Sequence, residues 1–338
     1  MPNISRRAAL RLGTAGAVGT VLATGGTAYG VTAAGRDPKT VAAMVKASYD
    51  GAVAACGGSW HSYISVANTD GTLEKAIDAD SATVVEAYSV NKLAVATAVL
   101  DKVDKGNLTL DTKVDVTADI VIADGDGIFR LDGAYPSNIT VGHALAALLT
   151  ISDDTAVRLC GLVCTSAEIN DTMVAKGFPH TQVVPVSNPH RFYLGKTTPK
   201  EMHDLLQALV TGKLLSEKST AYLLNIIRSP IAFTDGIRLN MSTDERLNIA
   251  TKAGWLDNGR NEAGIIFNAS GQAAITYSLF ATKDGDDTNF GPTHPLIHAR
   301  TVMGRQFYDA LYGSDAGTNA MPRLKRHPAF RYRPSNGG

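Results

Sequence analysis

Cysteines, aromatic residues and net charge are all scarce in this chain of 338 residues. It has 3 Cys, 7% aromatic residues, and 32 basic residues against 32 acidic ones. Three cysteines exclude a scaffold held together by many disulfides, and the length allows a hydrophobic core that needs none. We expect Cys56, Cys160 and Cys164 to be free thiols, although a disulfide through Cys56 stays open. The 44% share of hydrophobic residues excludes general disorder.

Acidic residues are absent from both ends of the chain. Residues 1–34 contain three arginines and residues 320–338 contain five basic residues, which leaves 24 bases against 32 acids in between. Binding to nucleic-acid phosphates requires clustered cations. The acidic body of the chain therefore argues against a nucleic-acid partner.

The N-terminal segment has the pattern of a twin-arginine export signal. Arg6 and Arg7 precede a weakly hydrophobic run rich in Gly and Ala, and small residues at 28–35 offer cleavage sites. The run is short for a membrane span, and no other segment is long enough for one. We expect residues 1–34 to be a signal peptide and the mature protein to have no membrane span. The expected location is extracellular, periplasmic or associated with the cell wall.

Periodicity and capping residues predict strands near both ends of the chain and helices in its middle. Helices are predicted over 38–55, 90–104, 141–163 with a break around 150–154, 198–212, 215–227 and 295–312. Strands are predicted over 61–67, 248–255, 264–268 and 273–282, and loops with short turns over 110–137. This order predicts an α/β (α+β) fold in which an antiparallel sheet is flanked by helices. The α/β part comprises residues 35–88 and 229–312, the inserted all-helical part residues 89–228, and a disordered basic tail residues 313–338.

A Ser-x-x-Lys pattern at the start of a predicted helix is the first candidate for catalysis. Ser89 and Lys92 are three residues apart, which brings both side chains to one face of a helix. An amine whose pKa is lowered can take the proton of a serine hydroxyl and make it a nucleophile. One such pair is expected by chance in a chain of this composition, so the pattern is informative only with partners.

Two further motifs follow in order. Ser152-Asp153-Asp154 begins 63 residues after Ser89, and Lys252-Ala253-Gly254 begins 100 residues after Ser152. The three motifs resemble the Ser-x-x-Lys, Ser-Asp-Asn and Lys-Thr-Gly set of class A β-lactamases and penicillin-binding proteins. The resemblance covers roughly residues 38–312. The alternative interpretation of each motif alone is structural, with Asp153 as a helix cap and Lys252 as a solvated charge.

The resemblance implies a role for each matching residue. Ser89 would be the acylated nucleophile and Lys92 its base, and Ser152 would pass a proton to the leaving nitrogen. Lys252 would supply positive charge beside Ser152 and the substrate carboxylate. The substrate-binding residues would be Asp154, Ala253, Gly254 and Leu256, with backbone N–H groups of Ser89 and Leu256 forming an oxyanion hole.

The chain also departs from the family pattern. Asp154 replaces an amide, and Ala253 replaces a hydroxyl-bearing threonine. Class A β-lactamases have a glutamate that activates the deacylating water in the loop before Thr197, but residues 172–200 contain neither Asp nor Glu. Glu201 is interpreted as part of a helix-capping box with Thr198.

The expected function is acyl transfer through Ser89 on a β-lactam or a related amide or ester.

Two alternatives remain open. One is a relative that resembles a D,D-peptidase or an esterase and deacylates slowly; the other is a non-catalytic module that binds penicillin or peptidoglycan. The expected partner is a small-molecule β-lactam or a peptidoglycan-like acyl substrate. No cofactor and no metal are expected, since His294 and His298 have no third ligand. Asp124-Gly125-Asp126-Gly127 is interpreted as a solvated turn rather than a calcium loop. The protein is expected to be a monomer.

Overall fold

The computed structural model describes residues 36–313. The predicted signal peptide, and all of the predicted basic tail except Gly313, lie outside these residues. The helices described are α1 (Pro38–Cys56), α2 (Lys92–Asp104), α3 (Val141–Thr150), α4 (Asp154–Val163), α5 (Ser166–Ala175), α6 (Pro199–Val210), α7 (Glu217–Ile227), α8 (Thr243–Arg246) and α9 (Pro295–Tyr312). The strands are β1 (Ser59–Ala67), β2 (Leu73–Ala79), β3 (Val85–Glu86), β4 (Lys113–Val116), β5 (Ser137–Thr140), β6 (Gln182–Pro185), β7 (Phe192–Thr197), β8 (Ile249–Leu256), β9 (Gly259–Phe267) and β10 (Ala273–Thr282).

A five-stranded antiparallel sheet joins the two ends of the chain. Its strand order is β2-β1-β10-β9-β8, so the N-terminal strand β1 pairs with the last strand, β10. Helices α1 and α9 pack against each other and bury one apolar cluster with the sheet, which includes Val45, Ile64 and Phe307. Helix α6 packs on β10 and β1. The predicted α/β fold built from both chain ends is confirmed.

The residues between these ends form a second apolar core, which includes Leu93, Leu145 and Leu159. This part is mainly helical, as predicted, but it also contains short strands. Strand β4 pairs with β5, and β7 pairs with both β6 and β3. The interpretation of residues 110–137 as loops alone, and of residues 89–228 as all helical, missed these strands. Strands this short are stable only beside a partner, and β4 and β5 are separated by the whole 117–136 segment.

The predicted break in the helix over 141–163 is confirmed. Helix α3 ends at Thr150, α4 begins at Asp154, and Ser152 between them has a φ of +58°. The Asp153 carboxylate caps α4 by accepting from the Ala156 N–H at 2.9 Å. It also accepts from the Ile128 N–H at 2.7 Å, which ties the 124–131 segment to this break.

Glu201 is structural, but not in the predicted way. The Thr198 hydroxyl accepts from the Glu201 N–H at 3.0 Å, which is one half of a capping box. The Glu201 carboxylate does not return to Thr198. It accepts from the His180 N–H and, at 2.8 Å, from the Thr181 hydroxyl. The carboxylate therefore fixes the segment before β6 against the start of α6.

Within residues 36–313, no helix combines the length and the apolar character needed to cross a bilayer. The three cysteines are free thiols, and burial raises the pKa of both Cys160 and Cys164 to about 12. Thiols with so high a pKa are poor nucleophiles, since the thiolate is the reactive form.

A buried histidine connects α6 to the sheet. His203 is fully buried, with Nε2 at 2.7 Å from the Ser65 hydroxyl of β1 and Nδ1 at 3.0 Å from the Asp204 carboxylate. Asp204 accepts from Nδ1–H, so in the neutral ring Nε2 accepts from Ser65. Burial lowers the pKa of His203 below its usual value, against the opposing effect of Asp204.

We expect this histidine to make the protein less stable in mild acid. A folded-state pKa below the unfolded value of about 6.5 means that the unfolded chain takes up the proton first. The stabilisation is therefore present above pH 6.5 and is lost as the pH falls toward the folded-state pKa, with a slope of up to about 1.4 kcal/mol per pH unit. Between pH 7.5 and 5, the free energy of unfolding measured with urea should fall less in His203→Gln than in the wild type. The exposed His298→Gln is the control; an unchanged slope in His203→Gln would contradict the prediction.

Candidate active site

Ser89 lies in a 3₁₀ turn (Tyr88–Asn91) that leads directly into α2, and Lys92 is the first residue of that helix. Tyr88 has a φ of +49°, a conformation that residues other than glycine rarely adopt and that often marks functional sites. The Asn91 side chain holds the turn in place, because its Nδ2 donates to the Leu194 carbonyl at 2.7 Å and to the Lys196 carbonyl at 3.0 Å on β7.

The Lys92 amine is fully buried behind this turn. Its Nζ donates to the Ser152 carbonyl at 2.6 Å, to the Ser152 hydroxyl at 3.0 Å and to Asp154 Oδ1 at 2.8 Å. These three acceptors use all three N–H groups of an ammonium. Burial lowers the pKa of Lys92, while the neighbouring Asp154 carboxylate opposes that effect. A lowered pKa favours the neutral amine that can accept a proton.

Ser152 connects Lys92 to the second lysine. The Lys252 Nζ donates to the Ser152 hydroxyl at 3.0 Å and to the Ala253 carbonyl at 2.7 Å. Burial and the adjacent positive charge of Lys92 bring the pKa of Lys252 well below its usual value. The left-handed backbone of Ser152 thus holds one hydroxyl between two amines that do not readily carry charge together.

The Ser89 side chain is half-buried and faces a cleft with a cavity of about 770 Å³. Among the described residues, the hydrogen bonds of Lys92 go to Ser152 and Asp154, and none goes to Ser89. Aromatic side chains form much of the cleft wall beside Ser89: Tyr88, Phe192, Tyr193, Trp255 and Phe290. The nucleophile is open to a ligand, and the two lysines lie behind it.

Gly254 lies against the turn that carries Ser89. A Cβ at this position would be 2.6 Å from the Ser89 nitrogen, 2.8 Å from the Val90 nitrogen and 3.0 Å from the Ala87 oxygen. All three atoms belong to the backbone, so they cannot move aside easily. The sequence interpretation assigned the glycine to the approach of substrate; in the structure it also permits contact between β8 and the nucleophile's own turn.

The register of β8 directs the N–H of Trp255, and not that of Leu256, toward the Ser89 turn. Leu256 and Gly259 close the two-residue turn between β8 and β9, so these two residues exchange backbone hydrogen bonds. Backbone groups alternate along a strand, and the N–H of Trp255 therefore points away from β9, toward the Ser89 turn. The Ala253 carbonyl points the same way, as its hydrogen bond with Lys252 shows. The Leu256 side chain, 54% exposed, still lines the cleft.

Gly254→Ala is expected to slow acylation of Ser89 at least about tenfold, because the added methyl group displaces the Ser89 turn and its N–H from the oxyanion position. Gly51→Ala is the matched control, since a Cβ at Gly51 in α1 meets nothing within 4 Å. Stopped-flow labelling with an acyl probe measures both rates. Equal rates in the wild type and in Gly254→Ala would show that the turn tolerates the methyl group.

The two residues that depart from the family motifs, Asp154 and Ala253, contact different lysines of the site. Asp154 pairs with Lys92 through one carboxylate oxygen and accepts from the Asp126 N–H at 3.0 Å through the other. Ala253 is fully buried and contributes its carbonyl to Lys252. Asp154 therefore carries a negative charge beside the Lys92 amine, and Ala253 provides no hydroxyl beside Lys252.

The segment over 172–200 brings no carboxylate to the cleft. Val184, Leu194 and Gly195 line the cavity from β6 and β7. Carboxylates reach the cavity from elsewhere: Glu86, Asp124, Asp126 and Asp154. Burial and the Asp154 charge raise the pKa of Asp126. The sequence interpretation set Asp124 and Asp126 aside as a solvated turn, because nothing local shows that Asp153 and Asp154 hold this turn at the cleft.

The described residues contain no group of three or more His, Cys, Asp and Glu side chains that could hold a metal ion. His294 instead caps α9, with its Nδ1 accepting from the Leu296 N–H at 3.2 Å.

Comparison with known proteins identifies the family. Residues 45–311 match the model of the β-lactamase enzyme family. The chain belongs to this family. No sequence among curated proteins matches it.

Solved structures of the family share the fold of this member at low sequence identity. A β-lactamase from Sphaerobacter thermophilus is 19% identical, with 79% of this chain and 95% of that chain covered and a TM-score of 0.65. A β-lactamase from Chitinophaga pinensis is 21% identical, with 79% and 98% covered and a TM-score of 0.65. PBP-A is 18% identical, with 79% and 95% covered and a TM-score of 0.63. The resemblance to β-lactamases and penicillin-binding proteins is thereby confirmed for the fold.

Proposed function

We propose that this β-lactamase-family protein is an active-site-serine hydrolase that transfers an acyl group from a β-lactam, or a related amide or ester, to Ser89. The observation that carries the proposal is the chain of hydrogen bonds from Lys92 through the Ser152 hydroxyl to Lys252, behind a serine that opens to a cleft. PBP-A supports it as a structural neighbour, since one of its mutants is known as an acyl-enzyme complex with penicillin G.

The geometry supports acylation in the following way. In this step Lys92 reacts as the neutral amine that burial favours, and it gives up one of its three donated hydrogen bonds so that its lone pair faces Ser89. Ser89 Oγ attacks the substrate carbonyl carbon while its proton passes to that amine. The carbonyl oxygen becomes an anion that accepts from the N–H groups of Ser89 and Trp255. The Ser152 hydroxyl gives its proton to the leaving nitrogen and recovers one from Lys92, so that the proton released by Ser89 reaches the leaving group.

Deacylation is the weaker half of the proposed cycle. A water molecule must attack the acyl-enzyme, and the segment over 172–200 provides no carboxylate to deprotonate it. The missing carboxylate favours a slowly deacylating enzyme, similar to a D,D-peptidase or an esterase, over an efficient β-lactamase.

A fluorescent penicillin followed by intact-mass analysis tests the proposal. A covalent adduct of one acyl group on Ser89 supports an acyl-transfer enzyme. Reversible binding of the intact penicillin with no adduct would instead indicate the non-catalytic binding module, and no binding would direct the search to other acyl donors.

We also propose that the protein is exported by the twin-arginine route. The pattern at Arg6 and Arg7 supports this location. Changing both residues to Lys is expected to retain the full-length precursor in the cytoplasm, measured by fractionation and immunoblotting. The conservative pair keeps the charge, so secretion at the wild-type level would contradict a twin-arginine signal.

A further inference from the structure

A second cavity, of about 360 Å³, lies beside the cleft and has a basic lining. Its charged and titratable side chains are Arg158, Arg191, His190 and Asp119, and we name it the basic annex. It shares part of its wall with the cleft, through Val157, Arg158, Phe192 and Tyr193. A ligand bound next to Ser89 can therefore extend into the annex.

The guanidinium of Arg191 lacks a partner in the annex. Its Nη1 is buried and has no hydrogen-bond partner among the described residues. The nearby Asp119 carboxylate accepts instead from the Thr117 hydroxyl, at 2.5 Å. A buried N–H group left unsatisfied costs free energy, and an acceptor entering the annex would remove that cost.

Arg158 adds a second cation to the same volume. Its Nη1 donates to the Ile120 carbonyl at 3.1 Å, which positions the guanidinium on α4. Burial and the charge of Arg158 both lower the pKa of Arg191, so the two cations repel each other across the annex. His190 is positioned as well, because its Nδ1 lies 2.7 Å from the Gly161 carbonyl. Two guanidinium groups, one of them with an unsatisfied N–H, form the type of site that binds a carboxylate.

The annex lies away from the leaving-group side of the cleft. Ser152 and Lys252, which serve the leaving group in the proposed mechanism, line a different recess together with Asp235. Neither of them lines the annex. Each site contains one carboxylate, Asp119 in the annex and Asp235 in the recess, but only the annex also contains two guanidinium groups.

We propose that the basic annex binds a carboxylate on the acyl portion of the substrate, with Arg191 and Arg158 as the binding residues. This inference rests on the proposed acylation of Ser89 and names the preferred class of acyl donor: one with an anionic side chain. A free anion such as phosphate presents similar chemistry, so the experiment must distinguish the two sources.

The first arm compares two penicillins that differ by one side-chain carboxylate, benzylpenicillin and carbenicillin. The rate of Ser89 acylation is measured by mass spectrometry. The wild type should favour carbenicillin, and Arg191→Gln should lose about tenfold or more of that preference, since a charge-assisted pair is removed. Arg191→Lys keeps the positive charge but not the planar guanidinium group, so it should lose less of the preference for carbenicillin than Arg191→Gln does. The exposed Arg130→Gln is the matched control and should keep the preference.

The second arm measures succinate and phosphate binding by calorimetry at fixed ionic strength, with no turnover required. Succinate binding that weakens at least about tenfold in Arg191→Gln, but not in Arg130→Gln, supports a carboxylate site. Equal acylation by both penicillins in the wild type would overturn the inference while leaving the proposed function intact. Succinate binding that depends on Arg191, in a protein that neither penicillins nor simple amide and ester probes acylate, would mean that the proposed function fails and that the annex binds a free anion instead of substrate.

Discussion

Replacing Ser89 with Ala is expected to abolish covalent labelling by a reactive acyl probe, and replacing Lys92 is expected to do the same. In the proposed mechanism, Ser89 supplies the oxygen that becomes acylated, and Lys92 is the buried amine that takes its proton. Intact mass measures the adduct directly. The two residues act as a unit, so the double variant should lose little more than either single one.

The controls for this prediction follow from burial. Ser89 is half-buried, and Ser89→Ala should unfold at the wild-type temperature. Lys92 is fully buried and paired with Asp154, so Lys92→Met, which preserves the packing volume, is a better test than Lys92→Ala. The exposed turn serine in Ser270→Ala should leave labelling unchanged. An adduct on another serine in Ser89→Ala would refute the assignment of the nucleophile.

Reaction with a penicillin or a cephalosporin is expected to show a burst of one equivalent followed by slow turnover. Acylation needs the Ser89, Lys92 and Ser152 group and an oxyanion hole. Deacylation also needs a base for water, and removing a general base costs about 10²–10⁴-fold in rate. Steady turnover should then fall well below the several per second of a typical enzyme.

Pre-steady-state absorbance and time-resolved mass spectrometry check this expectation together. The acyl-enzyme should be the main species within the first turnover and should persist afterwards. Rapid steady turnover without acyl-enzyme would contradict it and would show that another group serves the water. In that case Asp126→Asn, with the exposed Asp111→Asn outside the cleft as its control, would identify whether the carboxylate of Asp126 in the cleft is that group.

The sequence predicted the larger elements because their signals are local. Asp37 and Pro38 mark the start of α1, and Thr198 and Pro199 mark the start of α6. Strands β1, β8 and β10 alternate strongly enough to be recognised over nearly their whole length. The three motifs occur in the family's order and spacing, and this was sufficient to predict the fold that the family match and the neighbouring structures confirm.

Only the tertiary structure determined the contacts between residues that are distant in the chain. The spacing of Ser89 and Lys92 says nothing of the Ser152 hydroxyl between two lysines, because Ser152 and Lys252 are 100 residues apart. Strand register, which a local pattern leaves open, directs the N–H of Trp255, and not that of Leu256, toward the Ser89 turn.

The same limit applies to charge. Composition shows an acidic chain body, yet the fold brings Arg158 and Arg191 together beside the cleft and leaves one buried N–H unsatisfied. It also carries the Asp126 turn to Asp154, through a hydrogen bond from the Asp126 N–H to the Asp154 carboxylate that no periodicity encodes. The sequence by itself determined which chemistry is available to this protein. The packing of distant segments decided which charges face the substrate, because burial and pairing exist only in the folded chain.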